Sequence, residues 1–285
     1  MEIPKNSNLL YYDQLTKLAD GLPLDLIITS RSCLTTISSN CTANDAMKKM
    51  DNKFDQLPII DNQKFMGMIF RNDILNSADQ GLPIKKIFRS SSKIETIHAN
   101  QSVKEAIKYL CDNEICIVFD TSLGDFCGLL HYADLNKQAV KIYCYLWTSA
   151  LEMSLAALLR SHLPNHIEWI SALSDQRKNR VLERVEISRR QNIELSPIEG
   201  LELSDLINIW AKRKELLKFF EVSKSEFKRR ANHLVALRHA SMHPVRTLIK
   251  HHSDVKTLKR QVDDLHFLVQ STTSAMIPSI NSKAK

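Results

Sequence analysis

The sequence predicts an α/β first half built from two copies of one unit, followed by an all-α helical second half. Three observations carry this expectation. The first is an internal repeat with a period near 60 residues: Gly21, Leu22 and Pro23 recur as Gly81, Leu82 and Pro83, Thr36 and Ile37 as Thr96 and Ile97, Asn40 as Asn100, and Ala46 as Ala106. The second is that beyond Gln138 glycine occurs only at Gly200, while apolar residues fall at helical spacing. The third is charge. Residues 1–139 hold 15 Lys+Arg and 17 Asp+Glu, a net of −2, whereas residues 140–285 hold 24 and 15, a net of +9. A basic half of this kind suits a polyanion; solvated helix faces are the plainer alternative.

The first 21 residues read as an N-terminal helical extension, and the two copies as residues 22–80 and 81–137. Each copy reads as strand, helix, strand, strand, helix. Residues 43–50 and 103–110 place Ala46, Met47 and Met50, and Ala106, Ile107 and Leu110, on one helical face. Short β-rich runs follow at 57–60 and 115–119, each ending in an aspartate turn at Asp61 or Asp120. A second strand opens on glycine in each copy: Gly67, Met68, Ile69, Phe70, Arg71, Asn72, Asp73 in the first, and Gly128, Leu129, Leu130, His131, Tyr132, Ala133, Asp134 in the second. Asp73 and Asp134 suit the N-cap of the closing helices, where a carboxylate accepts free backbone N–H groups.

Order and residues together resemble the CBS-domain family, whose tandem copies form a Bateman pair. The resemblance implies a cleft between the copies that takes an adenine nucleotide as a regulatory ligand. In the family pattern, glycine is followed by two apolar residues, a hydroxyl residue, two variable residues and aspartate, and the aspartate accepts ribose hydroxyls. Asp73 and Asp134 fall on that position, with Phe70 and His131 in place of the hydroxyl residue. Phenylalanine cannot donate to a phosphate and histidine can, so the resemblance favours the second site, with Asp134 and His131 as its ligand-binding residues.

Residues 138–270 read as a helical bundle. Helices are expected at 140–162, at 166–190, at 203–220, from Ser223 to Pro244 with Glu226 completing a capping box, and from Ser253 to about Gln270. Residues 271–285 read as a disordered tail. The stretch Leu234, Val235, Ala236, Leu237, Arg238, His239, Ala240, Ser241, Met242, His243, Pro244 resembles the HEPN family of helical domains, many of them metal-independent ribonucleases acting as dimers. The family signature of an arginine, a polar neighbour and a later histidine falls on Arg238, His239 and His243. The resemblance implies a homodimer that cleaves RNA, with histidine moving protons near neutral pH and arginine holding the phosphate. The spacing recurs in Arg246 with His251, and looser spacings admit Arg160 with His166 and Arg260 with His266, so context singles out Arg238 and His243. A structural role stays open for both: Arg238 pairing with a helix-surface acid, and His243 capping the helix C-terminus.

Composition narrows the classes further. The six cysteines form no CxxC pair, against a zinc site or disulfide framework, and most suit a core. No metal cofactor is expected. The most apolar stretch, residues 143–159, is interrupted by Glu152, so no membrane span is expected. The polar first residues lack a signal-peptide pattern, which reads as cytoplasmic. The combined expectation is a nucleotide-regulated ribonuclease. The alternatives are a non-catalytic dimerisation or RNA-binding module under nucleotide control, and a toxin or antitoxin component regulated by another protein.

Overall fold

The computed structural model describes residues 7–77, 79, 81–120 and 124–276. These form two compact units: an α/β unit of residues 23–137 with 249–255, and a helical unit of the remainder. The chain opens on α1 (Ser7–Asp20) of the helical unit. The first α/β copy follows as β1 (Thr29–Ser30), α2 (Ala43–Met50), β2 (Gln56–Asp61), β3 (Lys64–Phe70) and α3 (Arg71–Leu75). The second is β4 (Arg89–Ser90), β5 (Thr96–His98), α4 (Val103–Asp112), β6 (Ile115–Phe119), β7 (Phe126–His131) and a 3₁₀ turn, Tyr132–Asn136.

Local chemistry sets these elements. Thr42 Oγ1 accepts the Asp45 N–H at 3.2 Å, and Asp45 accepts the Thr42 N–H at 2.9 Å, closing a capping box on α2. Ser102 does half of the same for α4, accepting from the Glu105 N–H. Asn62 and Gln63, both at positive φ, make the tight turn of the β2–β3 hairpin.

The sheets explain how one unit is made from two copies. One sheet runs β2-β3-β4 and the other β1-β7-β6-β5. The opening strand of each copy therefore pairs with the closing strand of the other: β1 lies against β7, and β4 against β3. Both contacts cross a glycine of the repeat. A Cβ on Gly128 would overlap the Thr29 carbonyl oxygen, and one on Gly67, where φ is +153°, would overlap that of Arg89. Phe65 and Phe126 stack at 4.3 Å in a core cluster drawn from both copies.

The helical unit centres on α5 (Gln138–His162), followed by α6 (His166–Ile170), α7 (Asp175–Arg190), α8 (Leu203–Lys212), α9 (Lys214–Leu217), α10 (Lys224–Met242) and α11 (Asp254–Met276). Trp147 of α5 donates to Asp20 of α1 at 3.2 Å, and Tyr143 bonds His266 of α11 at 2.7 Å in the core.

Several expectations are corrected. Residues 166–190 are two helices, because the Ala172 and Leu173 N–H groups turn back to the Trp169 and Ile170 carbonyls and Ser174 caps a new start. The helix expected over 203–220 breaks at Arg213, whose backbone is extended at φ −109° and ψ 101°. Ser223 caps α10 through the Glu226 N–H, but the Glu226 carboxylate turns to Arg229 and Arg230 rather than back to Ser223. The tail reading fails over 271–276, which continues α11: the Ser271, Thr272 and Thr273 hydroxyls are satisfied by carbonyls one turn back. The rest of that tail lies outside the described residues. Of the six cysteines only Cys111, Cys116 and Cys144 are buried. Helix α5 is long and apolar enough to cross a membrane by length and composition, contrary to the sequence reading; 61% of its apolar window is packed inside the unit, as in a core helix.

Candidate functional site

Two places hold the sequence-derived residues, one in each unit. In the α/β unit, Asp73 and Asp134 are not N-caps. Phe70 and His131 occupy those positions, and each aspartate stands three residues on. The closing strand enters the turn three residues earlier than the aspartate reading assumed, which leaves each carboxylate in the first turn, within reach of the neighbouring opening strand.

What each carboxylate meets there is set by the strand exchange. β4 brings Arg89 to Asp73, where the guanidinium donates to both oxygens at 2.7 and 2.8 Å and lies 4.4 Å over the Phe70 ring. The Asp73 carboxylate holds Arg89 above the ordinary arginine range. In the other half β1 brings Thr29, the counterpart of Arg89 in the repeat. Its hydroxyl reaches Asp134 at 3.4 Å. Asp134 also accepts the His131 N–H at 2.8 Å and the Lys137 ammonium at 2.9 Å. Across the strand exchange the first half thus receives a long cation and the second a short hydroxyl, with Lys137 pairing Asp134 from its own copy.

His131 is partly buried, and that burial lowers its pKa, with Asp134 and Glu114 opposing the shift. Its Nδ1 accepts the Ala133 N–H at 3.3 Å, so the neutral ring is assigned its proton on Nε2, which has no hydrogen-bond partner among the described residues. Beside the β1–β7 junction opens a cavity of about 620 Å³, lined by Ser30, Arg31, Ser32, Thr36, Gln63 and Cys127 among others. Hydroxyls, an amide and a guanidinium in a space of that size suit a phosphorylated small molecule. Asp73, Asp134 and His131 are not among its lining residues. Sequence reasoning missed Thr29, Arg89 and the serine pairs Ser30/Ser32 and Ser90/Ser92, whose hydroxyls meet at 3.1 and 2.9 Å. The 60-residue offset aligns all of them and could have found them.

In the helical unit, Arg238 lies on α10 facing α5. Its Nε and Nη2 donate to Glu152 at 2.9 and 3.4 Å, and both side chains are about four-fifths buried. Burial raises the Glu152 carboxyl, and Arg238 opposes the rise. Glu152 is thus the acid that interrupts the apolar run of α5, and its role was missed. His239 is exposed on α10, and His243 is the exposed C-cap. The structure brings Arg238 to Glu152; no hydrogen bond joins Arg238 to either histidine among the described residues.

The rival matches fare differently. Arg246 belongs to the helical unit and His251 to the α/β unit. Arg160 pairs with Glu199 at 3.7 Å. His266 is buried against Trp147, with ring centroids 3.7 Å apart. Among the described residues, no group of three or more His, Cys, Asp or Glu side chains is placed to hold a metal ion.

Residues 27–79 match the family model described as CBS domain. The chain contains a CBS domain. The match covers the first copy, and the second copy repeats the CBS order of strand, helix and hairpin beyond it. The amino-terminal part is therefore a mixed α/β region consistent with CBS domains, and the carboxyl-terminal part is helical. Similar solved structures include a hemolysin-like protein containing a CBS domain from Oenococcus oeni PSU, at 19% identity and TM-score 0.36, covering 44% of this chain and 94% of that one. CbpB, solved with c-di-AMP, is 17% identical with TM-score 0.41, over 48% and 97%. CBSX2, solved with AMP, is 19% identical with TM-score 0.36, over 41% and 94%. No curated protein matches the chain.

Proposed function

We propose that this chain is a nucleotide-regulated, metal-independent endoribonuclease, in which an adenine nucleotide in the CBS cleft controls RNA cleavage by a dimer of HEPN-like helical domains. The observation that carries the regulatory half is the difference between the two carboxylates. Among the described residues, Arg89 fills both oxygens of Asp73, while across the strand exchange Asp134 receives only Thr29, its one cation being Lys137 of its own copy; the adjoining β1–β7 junction opens on a cavity with Arg31 and three hydroxyls. The catalytic half is supported by a guanidinium fixed in place by Glu152, with two exposed histidines on the last turn of the same helix. His243 would take the 2′-hydroxyl proton or protonate the leaving oxygen, and Arg238 would meet the phosphate.

The test is end-labelled RNA incubated with the full chain in EDTA, with and without AMP or ATP. Cleavage should persist in EDTA and end in 2′,3′-cyclic phosphate, and DNA should survive because it lacks the attacking hydroxyl. His243→Ala should abolish cleavage, and Arg238→Ala should slow it by about 10²–10³, the cost of removing one electrostatic stabiliser of the transition state. The commitment of Arg238 to Glu152 favours a second reading, a non-catalytic RNA-binding or dimerisation module. A dimeric, nucleotide-saturated sample that leaves RNA intact would select it.

A further inference from the structure

We infer that the outward face of α7 is a docking strip for the phosphodiester backbone of single-stranded RNA. The choice of RNA rests on the ribonuclease reading above; the strip itself rests on α7. This helix carries six basic residues (Arg177, Lys178, Arg180, Arg184, Arg189, Arg190) against three acids (Asp175, Glu183, Glu186), and Val181 is its one buried residue. A helix with so little buried surface is held by few contacts, and its side chains divide by what they meet.

Arg177 is structural. It donates to Asp205 at 3.1 and 2.5 Å and reaches Glu202 at 3.3 Å, tying α7 to α8. Arg189 and Arg190 are exposed but share Glu186, at 3.5 and 3.3 Å. Arg180 and Arg184 are exposed and make no ion pair among the described residues. They stand one turn apart, about 6 Å along the axis and about 40° around it, so both guanidiniums project from one line. That line lies about 60–100° from the buried Val181. Each planar fork can hold a phosphate through two hydrogen bonds. Two such forks in line, neither ion-paired among the described residues, suit a chain of phosphates.

The exposed apolar residues of the helix argue against a lipid surface. Leu182 and Ile187 are 36% and 48% exposed, but five residues separate them, which is about 140° around the axis. A helix that lies in a lipid interface needs one continuous apolar face. Here the apolar residues are split, and Ile187 shares its face with the two free arginines.

The test uses the full chain carrying His243→Ala, so that bound RNA stays whole. Anisotropy of a labelled short oligo(U) is followed across a sodium chloride series. Arg180→Ala/Arg184→Ala in that background should weaken binding about tenfold at low salt and flatten the slope of log K against log salt by about 1.4, two single-strand phosphates at ~0.7 each. Arg189→Ala/Arg190→Ala, the pair already matched to Glu186, should change affinity less than about twofold. An unchanged slope in the first double variant, with its thermal unfolding also unchanged, overturns the inference. Phosphatidylglycerol vesicles titrated against the same variants form the second arm, and a loss confined to them also overturns the inference. The two proposals separate cleanly. If wild-type chain cleaves no RNA but the slope still falls with Arg180 and Arg184, the strip stands and the ribonuclease reading falls. If it cleaves RNA while the slope is indifferent to both arginines, the strip falls alone.

Discussion

Asp73 and Asp134 hold the same place in the two copies and differ in the cation that meets them: Arg89 from the opposing strand at Asp73, Lys137 from its own copy at Asp134, with Thr29 standing where Arg89 would. An ionised carboxylate has few lone-pair directions, and Arg89 takes both oxygens of Asp73 at once. A ribose must displace a bidentate guanidinium there, whereas at Asp134 it meets the single-point Lys137 ammonium at 2.9 Å, the His131 N–H at 2.8 Å and a 3.4 Å contact from the Thr29 hydroxyl. Calorimetric titration with AMP and ATP should therefore show one site per chain. Asp134→Ala should lose most of the affinity and Asp73→Ala little. Equal losses would reject the asymmetry. Arg238 and Glu152 give a second residue-scale expectation. Burial raises the Glu152 pKa in the fold, so folding favours its protonated form. The resulting stability is present below the ordinary glutamate value, ~4.3, and is lost as pH rises towards the folded value. Arg238 opposes that loss, and Arg238→Ala removes the opposition. Urea unfolding should show Arg238→Ala close to wild type near pH 4 and about 2 kcal/mol less stable at pH 7, less than the ~3–5 of breaking a fully buried pair. Adding Glu152→Gln should flatten the difference, and a deficit equal at both pH values would show that the pair is not its source.

At the scale of elements, legibility followed the range of the interaction that decides each one. The hairpins, α2 and α4 rest on contacts within a few residues, such as the Thr42–Asp45 capping box, and both their place and type were readable. The two-residue strands β1 and β4 were not, because Thr29 and Arg89 become strands only by pairing with a different copy. The candidate nucleotide site was legible only in part for the same reason. Its aspartates lie in the repeated motif, but the partners that decide their availability come from those exchanged strands. The helix breaks at Ser174 and Arg213 escaped for another reason. Apolar residues at 169, 170, 173, 181 and 185 keep helical spacing straight through the first break, so periodicity cannot show a chain that leaves the helix and resumes it. Helix α11 hid its last turn because three hydroxyl residues read as a polar tail until their carbonyl partners are known.

At the scale of the whole molecule, the Arg–His segment is the place where one chain is least sufficient. Arg238 and His243 are five residues apart, about 140° around a helix, so one copy does not converge on one phosphate. Around them the helical unit leaves apolar surface in the open. Ile142, Tyr145 and Met153 of α5 are 47%, 43% and 39% exposed and fall on one face, at spacings of three and eight residues. Met242 and Val245 at the end of α10 are 46% and 94% exposed, and α5 reaches the same end, where Gln138 donates to the Pro244 carbonyl at 3.1 Å. Glu152, which holds Arg238, sits next to Met153. Two copies joined through this face would cover the apolar side chains and bring two arginines and two pairs of histidines together. Sedimentation at micromolar concentration should show a dimer. Tyr145→Glu/Met153→Glu places two charges where the seam would be desolvated, and should yield monomers without RNA cleavage. Adenine-nucleotide affinity should stay within about twofold, because Asp134 and the residues lining the cavity at the β1–β7 junction belong to the α/β unit. A variant that sediments as a monomer and still cleaves RNA would show that a single Arg238–His243 pair suffices, and the composite site would have to be abandoned.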